Sequence, residues 1–156
     1  MSADPMLDLD RQLCFALYRA QRAVTRAYAP LLEPLGLTYP QYLVFLKLWE
    51  QDGIGVNELG GCLALDSGTL TPLLKRLEQH GLLERRRDAQ DERMVRLYLT
   101  AEGRALRTKA KKVPTALAEL AGYDLDKPKG YMALTHLRDE LRALAARLER
   151  ATSEHD

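Results

Sequence analysis

The stretch VNELGGCLALDSGTLTPLLKRLEQHGLLERRRDAQDERMVRLYLT, residues 56–100, decides the fold of this chain of 156 residues. Its hydrophobic periodicity and its glycines predict a short helix, a turn and a second helix that ends at His80-Gly81. Two short runs of alternating residues then predict strands, which an arginine-rich turn joins. A helix-turn-helix followed by a β-hairpin wing has this order of elements. The predicted fold is therefore mostly α-helical with a small amount of β structure.

The second helix of this stretch has an apolar face and a polar face. The apolar face consists of four leucines at helical spacing: Leu70, Leu73, Leu74 and Leu77. The opposite face is small and polar at first and cationic later, which suits a helix whose first turns enter the major groove of DNA while later residues contact phosphates. An ordinary solvated face with two cations is the alternative. The candidate DNA-binding residues are Asp66, Ser67, Gly68, Thr69, Thr71, Pro72, Lys75 and Arg76.

The start of the second helix is ambiguous because of its proline. Pro72 lacks the amide hydrogen that would bond to the Gly68 carbonyl if the helix started at Asp66. Either Thr71 caps a helix that starts at Pro72, or a kinked first turn precedes the proline. The sequence alone does not decide between these two alternatives.

The predicted wing concentrates arginine in strands 82–86 and 94–99 and in the turn between them. Four acidic residues offset much of this charge, which favours a few placed arginines over a general basic patch. Arg93, near the tip, is a candidate for the minor groove, where narrowing deepens the negative potential. Arg86 is the second candidate of the wing. A hairpin with internal ion pairs, such as Asp91 with Arg93, is the alternative.

Composition limits the function further. Lys+Arg 23 against Asp+Glu 22 gives a net charge of +1, so DNA binding must depend on local cations rather than on bulk charge. The acidic start of the chain lacks the features of a signal peptide, and no apolar run has transmembrane length, so we expect a cytoplasmic protein without membrane contact. Two cysteines and three histidines show no metal-ligand spacing. We therefore expect neither a metal nor another cofactor.

Helices are predicted on both sides of the winged stretch. The first runs from Asp8 to about Tyr28, with Asp8 or Asp10 as its cap and Pro30 closing it. The next helix, Tyr39 to Glu50, points four side chains inward: Tyr42, Phe45, Leu46 and Trp49. The short helix Val56 to Leu63 buries Leu59, Cys62 and Leu63. After the wing, Thr100 caps a helix that bends at Pro114, and a last helix spans about 131–150.

The first and last helices carry apolar residues at alternating spacings of 3 and 4, which is typical of packed helical seams. We expect one module over 1–156 that forms a homodimer with intertwined helices. Residues 8–37 and 101–150 would form its helical dimerisation region, and 39–100 its winged helix-turn-helix region. A symmetric pair would face a pseudo-palindromic operator in double-stranded DNA, with half-sites about one helical turn apart. The seams consist of Leu13, Leu17, Ala20, Val24 and Ala27, and of Leu134, Leu137, Leu141, Leu144 and Leu148.

Residues 91–103 match the D-x-R … L-T-x-x-G signature of the MarR family of winged helix-turn-helix repressors, which this chain resembles. More specifically, the chain is similar to the branch that senses organic hydroperoxides, the OhrR regulators. Three segments carry this closer resemblance: QLCFALY at 12–18, LTYPQYL at 37–43 and LDSGTLTPLLKRLE at 65–78. The resemblance covers roughly 9–120 well and the last helix only in pattern.

The resemblance implies a non-enzymatic, redox-sensing repressor. Cys14 would be the thiol that organic hydroperoxide oxidises, Tyr28 and Tyr39 would hydrogen-bond it, and Tyr18 would be a further site residue or interface packing. Oxidation to a sulfenic acid would release the operator. Cys14 and Tyr28 lie fourteen positions apart on one predicted helix, about 20 Å at 1.5 Å per residue. We therefore expect them to meet only across the dimer.

The second cysteine, Cys62, is expected to be a buried core thiol among leucines. Some members of the family that this chain resembles resolve the sulfenic acid with a second cysteine late in the chain, but no cysteine follows Cys62. The resemblance therefore implies that Cys14 acts alone and forms a mixed disulfide with a small cellular thiol. Two other hypotheses stay open. A small aromatic effector in the dimer crevice would release DNA without any role for Cys14, and a thiol peroxidase would turn over hydroperoxide, although no second catalytic group accompanies Cys14.

Overall fold

The computed structural model describes residues 4–153, which form seven α-helices and one β-hairpin. Strands β1 (Leu83–Arg87) and β2 (Val95–Leu99) lie between the fourth and fifth helices, which confirms a mostly helical fold with a wing. The chain divides into two units at the Val113–Pro114 bond. The helices are α1 (Leu13–Leu32), α2 (Tyr39–Glu50), α3 (Val56–Leu63), α4 (Ser67–Gln79), α5 (Ala101–Ala110), α6 (Val113–Leu120) and α7 (Pro128–Ser153).

Helix α1 begins and ends later than predicted. The Asp8 carboxylate caps a separate 3-10 turn, Leu9–Arg11, and α1 starts after Gln12. The helix then continues through Pro30 to Leu32. A proline so near the end removes one backbone hydrogen bond, and complete burial of the Leu32 side chain, which is worth about 2 kcal/mol, stabilises the last turn.

Helix α2 has the predicted bounds and a capping box. The Thr38 hydroxyl accepts a hydrogen bond from the Gln41 amide, and the Gln41 side chain accepts one from the Thr38 amide. Tyr42 and Phe45 are buried as predicted, but the prediction for Leu46 is wrong, since its side chain is 41% exposed. Leu46 lies about 100° around the helix from Phe45, beyond the edge of the buried arc.

Helix α3 also has the predicted bounds, but Cys62 is exposed rather than buried, so that prediction is wrong. The side of α3 that packs closely contains Leu59 and Gly60. A Cβ atom at Gly60 would lie 3.0 Å from the Leu65 carbonyl oxygen. Cys62 follows Gly60 by two residues, about 200° around the helix, and therefore lies on the opposite side.

Helix α4 starts before its proline, which settles the ambiguity in the sequence. The Asp66 carboxylate caps the helix by accepting a 2.7 Å hydrogen bond from the Thr69 amide. More than a turn of helix, starting at Ser67, thus precedes Pro72. The leucine stripe faces the core as predicted, with Leu70, Leu74 and Leu77 buried and Leu73 half-buried.

The two strands of the hairpin lie within one residue of the predicted strands. They pair in antiparallel register, with Leu83 opposite Leu99 at one end and Arg87 opposite Val95 at the other. The segment before α3 lies along the other edge of β2. There the Leu97 amide donates to the Ile54 carbonyl over 2.9 Å, and the Gly53 amide donates to the Leu97 carbonyl over 2.8 Å. Ile54 and Leu97 are completely buried. The wing is therefore anchored to the core along β2.

The prediction of one long helix after the wing, bent at Pro114, is wrong. Helix α5 ends at Ala110, and α6 begins at Val113 with Pro114 in its first turn. Proline suits the first turn of a helix because its missing amide hydrogen has no partner there. The proline therefore starts a new helix rather than bending an existing one.

Helix α5 packs tightly on the segment that leads into β1. Thr100 caps α5 by accepting from the Gly103 amide over 3.1 Å, and its hydroxyl donates to the Gly81 carbonyl over 2.7 Å. A Cβ atom at Gly103 would lie 2.1 Å from the carbonyl oxygen of Leu82. Only glycine fits this contact between helix and wing.

Replacing Gly103 with Ala should therefore lower the free energy of unfolding by about 3 kcal/mol, because two backbone segments would have to separate. Urea denaturation followed by circular dichroism measures this change. The control is Gly61→Ala on the exposed side of α3, where an added Cβ meets nothing within 4 Å. We expect a gain of about 0.5–1 kcal/mol there from helix propensity. Equal effects at the two positions would contradict the tight contact at Gly103.

The second unit contains most of α6 and all of α7. Helix α7 has 26 residues and extends about three residues beyond the predicted helix at each end. It buries none of its residues within this chain. Its predicted apolar seam is half-buried or exposed, with exposed fractions of 44% for Leu137, 43% for Leu141 and 57% for Leu148.

Candidate functional site

The candidate DNA-binding face of α4 is exposed over its whole length, from Ser67 in the first turn to Arg76 in the third. Lys75 and Arg76 form no ion pair with any residue of the described range 4–153. Asp66 differs from them, because its carboxylate is engaged as the helix cap. The hydrogen bond from the Thr69 amide holds the pKa of Asp66 below its ordinary value. Asp66 thus fixes the first turn of α4, where the candidate DNA-binding face begins.

Three wing arginines, by contrast, are held in ion pairs. Arg85 binds Glu78 of α4 through its backbone amide and its guanidinium, with a shortest charged contact of 2.7 Å. This bond ties β1 to the helix that carries the candidate DNA-binding face. Arg86, which we predicted to contact DNA, contacts Glu84 over 2.6 Å and lies 4.8 Å from the centre of the Tyr98 ring.

The third pair, Arg96 with Asp88, closes the tip of the wing. The Asp88 carboxylate also accepts hydrogen bonds from the Gln90 and Asp91 amides, over 2.8 and 3.0 Å. The Arg96 hydrogen bond, followed by these backbone bonds, lowers the pKa of Asp88 to about 2. The Asp88 carboxylate therefore stays ionised at neutral pH. Arg96 also donates to the Gly53 carbonyl over 3.0 Å, which joins the tip to the segment before α3.

Two wing arginines, Arg87 and Arg93, have no ion-pair partner within residues 4–153. Arg93 lies at the tip as predicted, where its amide donates to the Asp91 carboxylate over 3.1 Å. Arg87 was not among the predicted contacts. Strand alternation puts Arg87 on the same face of β1 as Arg85, two residues farther along the strand, and this was the available signal in the sequence.

A cavity of about 230 Å³ lies between the start of α3, the middle of α4 and the wing. Thr71 of α4 and Arg93 of the wing both line it. The structure thus brings together candidate residues that are 22 positions apart in the sequence. The cavity also touches the Arg85 side chain, which Glu78 holds in place.

The predicted redox site is divided along α1. At its C-terminal end, the Tyr28 and Tyr39 rings stack with centroids 4.7 Å apart and an interplanar angle of 24°. A third ring, Tyr42, lies 5.6 Å from Tyr28 and is 1% exposed. The sequence pattern predicts Tyr42 only as a core residue, although its spacing of three from Tyr39 places both on one face of α2.

Burial raises the pKa of each of the three phenols. The pKa of Tyr28 rises to about 12, first because of burial and then because Tyr42 and Tyr39 lie close to it. Burial likewise raises the pKa values of Tyr39 and Tyr42. All three hydroxyl groups are therefore protonated at neutral pH and able to donate a hydrogen bond.

Cys14 lies at the other end of α1 and is exposed. It precedes Tyr28 by fourteen residues of one helix, which is about 21 Å along the axis. Tyr18 is 55% exposed, stacks on Phe15 with centroids 6.4 Å apart and has the Arg22 guanidinium over its ring at 5.5 Å. One chain thus brings Tyr28 and Tyr39 together but not Cys14.

The structure describes residues 4–153. Within that range, no group of three or more His, Cys, Asp or Glu side chains is arranged to hold a metal ion. The same residues include no helix with the length and apolar character needed to cross a membrane.

Comparisons with known proteins find similar transcriptional regulators. The family model described as transcriptional regulator SarA/Rot matches residues 26–109. The regulator TtmR of Methylorubrum extorquens is 50% identical over 147 residues, 94% of this chain and 75% of the relative. The organic hydroperoxide resistance transcriptional regulator of Bacillus subtilis is 48% identical over 126 residues, 79% of this chain and 86% of the relative.

A similar solved structure is that of reduced AbfR bound to DNA, a protein of Staphylococcus epidermidis. It superimposes with a TM-score of 0.74 at 34% sequence identity, over 95% of this chain and 99% of that one.

Proposed function

This chain belongs to the MarR family of winged helix-turn-helix transcriptional regulators, in the branch of the organic hydroperoxide resistance regulators, and from that premise we propose how it is controlled. It represses transcription while Cys14 is reduced and releases its operator when an organic hydroperoxide oxidises Cys14. One observation carries this proposal. A stacked pair of protonated phenols lies a helix length away from an exposed thiol, as a site shared between two chains requires.

The proposed regulator is a homodimer. Apolar side chains are exposed on α1, where Leu13 is 60% exposed, and on α7, where Leu148 is 57% exposed. A second chain that covered both rows would bury them, and each large aliphatic side chain contributes about 1.5–3 kcal/mol on full burial. Residues 8–37 and 101–150 form the proposed dimerisation region, and 39–100 the DNA-binding region.

Within this dimer, Cys14 of one chain faces the phenols of Tyr28 and Tyr39 of the other. Since both hydroxyl groups are protonated at neutral pH, they are able to donate to a thiolate and stabilise its charge. Tyr18, four residues after Cys14 on the same helix face, extends the aromatic wall of this site.

The redox step follows from thiolate chemistry. The thiolate attacks one peroxide oxygen, the O–O bond breaks, and a proton completes the alcohol that leaves. The sulfur is oxidised to a sulfenic acid and the hydroperoxide is reduced to the alcohol. A small thiol then condenses with the sulfenic acid, which forms a mixed disulfide and water. Neither product accepts hydrogen bonds as the thiolate does, so the phenols must rearrange and the two DNA-binding regions lose their spacing.

On the DNA side, the first turns of α4 enter the major groove and the later cations contact phosphates. Arg93 reaches the minor groove from the wing tip. Arg86 contributes through Nη1, the one guanidinium nitrogen that does not bond to Glu84. The proposed major-groove residues are Ser67, Gly68, Thr69, Thr71 and Pro72, with Asp66 as the cap and Lys75 and Arg76 at the phosphates.

A DNA-release assay tests the proposal. The reduced protein first selects an operator from a library of random duplexes, and fluorescence anisotropy then measures binding before and after cumene hydroperoxide. We expect the affinity of the wild type to fall at least tenfold, about 1.4 kcal/mol, and that of Cys14→Ser to stay unchanged. Cys62→Ser is the matched control because Cys62 is also an exposed thiol, and we expect it to respond like the wild type.

Release of DNA from Cys14→Ser would refute the redox mechanism. If a phenolic acid released it without peroxide, the crevice would be an effector pocket instead. Mass spectrometry of the oxidised wild type provides an independent check. A disulfide between Cys14 and Cys62 would contradict oxidation of Cys14 alone.

A further inference from the structure

We infer that Trp49 is a positioning residue that couples the tyrosine pair of the proposed redox site to the wing and the DNA-binding helix. This inference depends on the proposed function, since it names the residue through which oxidation reaches the DNA-binding region. It rests on a continuous row of contacts inside residues 28–103, all in the first unit of the chain.

The row begins at the proposed sensor. The Tyr28 ring stacks on Tyr39 and lies 5.6 Å from Tyr42, with a tilt of 45°. Tyr42 in turn meets the Trp49 indole edge to face, with centroids 6.4 Å apart. Phe45 also contacts the indole, with ring centroids 5.3 Å apart. Aromatic rings thus connect the end of α1 to the end of α2 without a gap.

The row ends at the base of the wing. The Trp49 indole nitrogen donates a 3.0 Å hydrogen bond to the carbonyl oxygen of Gly103 in α5. Gly103 is the glycine that packs against the Leu82 carbonyl just before β1. The Thr100 hydroxyl joins the same point to Gly81, one residue after the cap of α4. The indole nitrogen therefore binds where α4, α5 and the wing meet.

Burial explains why this row transmits a displacement. Tyr42 is 1% exposed and Phe45 is completely buried, so neither ring has space to move alone. Close-packed interiors change between discrete arrangements rather than deform gradually. When Tyr28 loses its bond to the thiolate and turns, Tyr42 must repack, and Trp49 must follow. The hydrogen bond from Trp49 then moves or releases the Gly103 carbonyl.

Trp49 is the single tryptophan in the sequence, so the tryptophan fluorescence of the protein comes from this residue alone. Its fluorescence emission depends on the rings around it and on its hydrogen bond. We expect cumene hydroperoxide to shift the emission of the wild type and to leave that of Cys14→Ser unchanged. The comparison with Cys14→Ser separates the conformational signal from direct oxidation of the indole.

The decisive variant is Trp49→Phe, which keeps an aromatic ring and removes the N–H donor. We expect it to bind the selected duplex within threefold of the wild type when reduced, and to show at least a fivefold smaller ratio of oxidised to reduced Kd. Cys14 should still be oxidised at the wild-type rate, as measured by mass spectrometry. Tyr42→Phe, which keeps every ring, is the matched control and should respond like the wild type in both assays.

Two results together would overturn the coupling role. Trp49→Phe would release DNA on oxidation as fully as the wild type does, and the Trp49 emission of the oxidised wild type would be unchanged. The proposed function would then survive, because Cys14 would still control DNA binding. If the wild type itself keeps its DNA after Cys14 is oxidised, the proposed function fails, and the coupling role fails with it. The two failures are therefore distinguished by the wild-type measurement alone.

Discussion

Leu141→Glu is expected to reduce the affinity for the selected operator more than about 100-fold and to convert the dimer into monomers. Leu141 is 43% exposed in the single chain, so a large part of its apolar surface is open to contact with a second chain. In a symmetric dimer, one substitution puts two carboxylates into an apolar interface, where each unpaired charge costs several kcal/mol. Sedimentation velocity measures the oligomeric state, and fluorescence anisotropy measures DNA binding.

Ala143→Glu is the control for this experiment. Ala143 is exposed on the same helix, two residues farther along and about 200° around it, outside the apolar seam. This variant should remain a dimer and bind the operator like the wild type. A dimeric Leu141→Glu protein would show that the seam of α7 does not form the interface.

The double substitution Lys75→Ala, Arg76→Ala should weaken operator binding about 100-fold, since both cations are exposed and without ion pairs in the described residues. The stronger signature is the salt dependence. Each lost phosphate contact reduces the slope of log K against log salt by about 0.9, so the slope should fall by about 1.8 per chain. Binding curves at several salt concentrations measure it.

Arg107→Ala, Lys109→Ala removes the same charge from exposed positions in the last turn of α5 and is the control. We expect the affinity and the slope of this variant to change much less. An equal fall in both proteins would mean that total charge, rather than the placement of cations on α4, governs binding.

Sequence patterns predicted the elements whose signals are local. The alternation of β2 and the glycine after α4 placed the hairpin to within one residue, and the leucine stripe of α4 placed its buried face. The bounds of α1 were wrong because tertiary packing decides them. Burial of Leu32 carries the helix past Pro30, which a local rule treats as an end.

The candidate site likewise contains residues that local patterns predict and residues whose positions depend on tertiary packing. The tyrosines and the cations of α4 were predicted from motif and period, but the exposed position of Cys62 was not. It depends on which side of α3 approaches the rest of the fold at Gly60. Nor does the sequence reveal which wing arginines are neutralised. The pair of Arg85 with Glu78 joins two different elements and exists only after they pack.

The ion pairs of the wing have a consequence for how this regulator finds its target in a genome. Three of the five wing arginines are matched by carboxylates, and the whole chain carries a net charge of +1. A genome offers on the order of 10⁶ or more competing sequences, to which any strongly basic surface binds. Because most of its wing arginines are already paired, we expect the protein to bind such competing sequences weakly. In the proposed mechanism, a dimer whose operator contacts have lost their spacing would then dissociate, because general attraction to DNA is too weak to retain it.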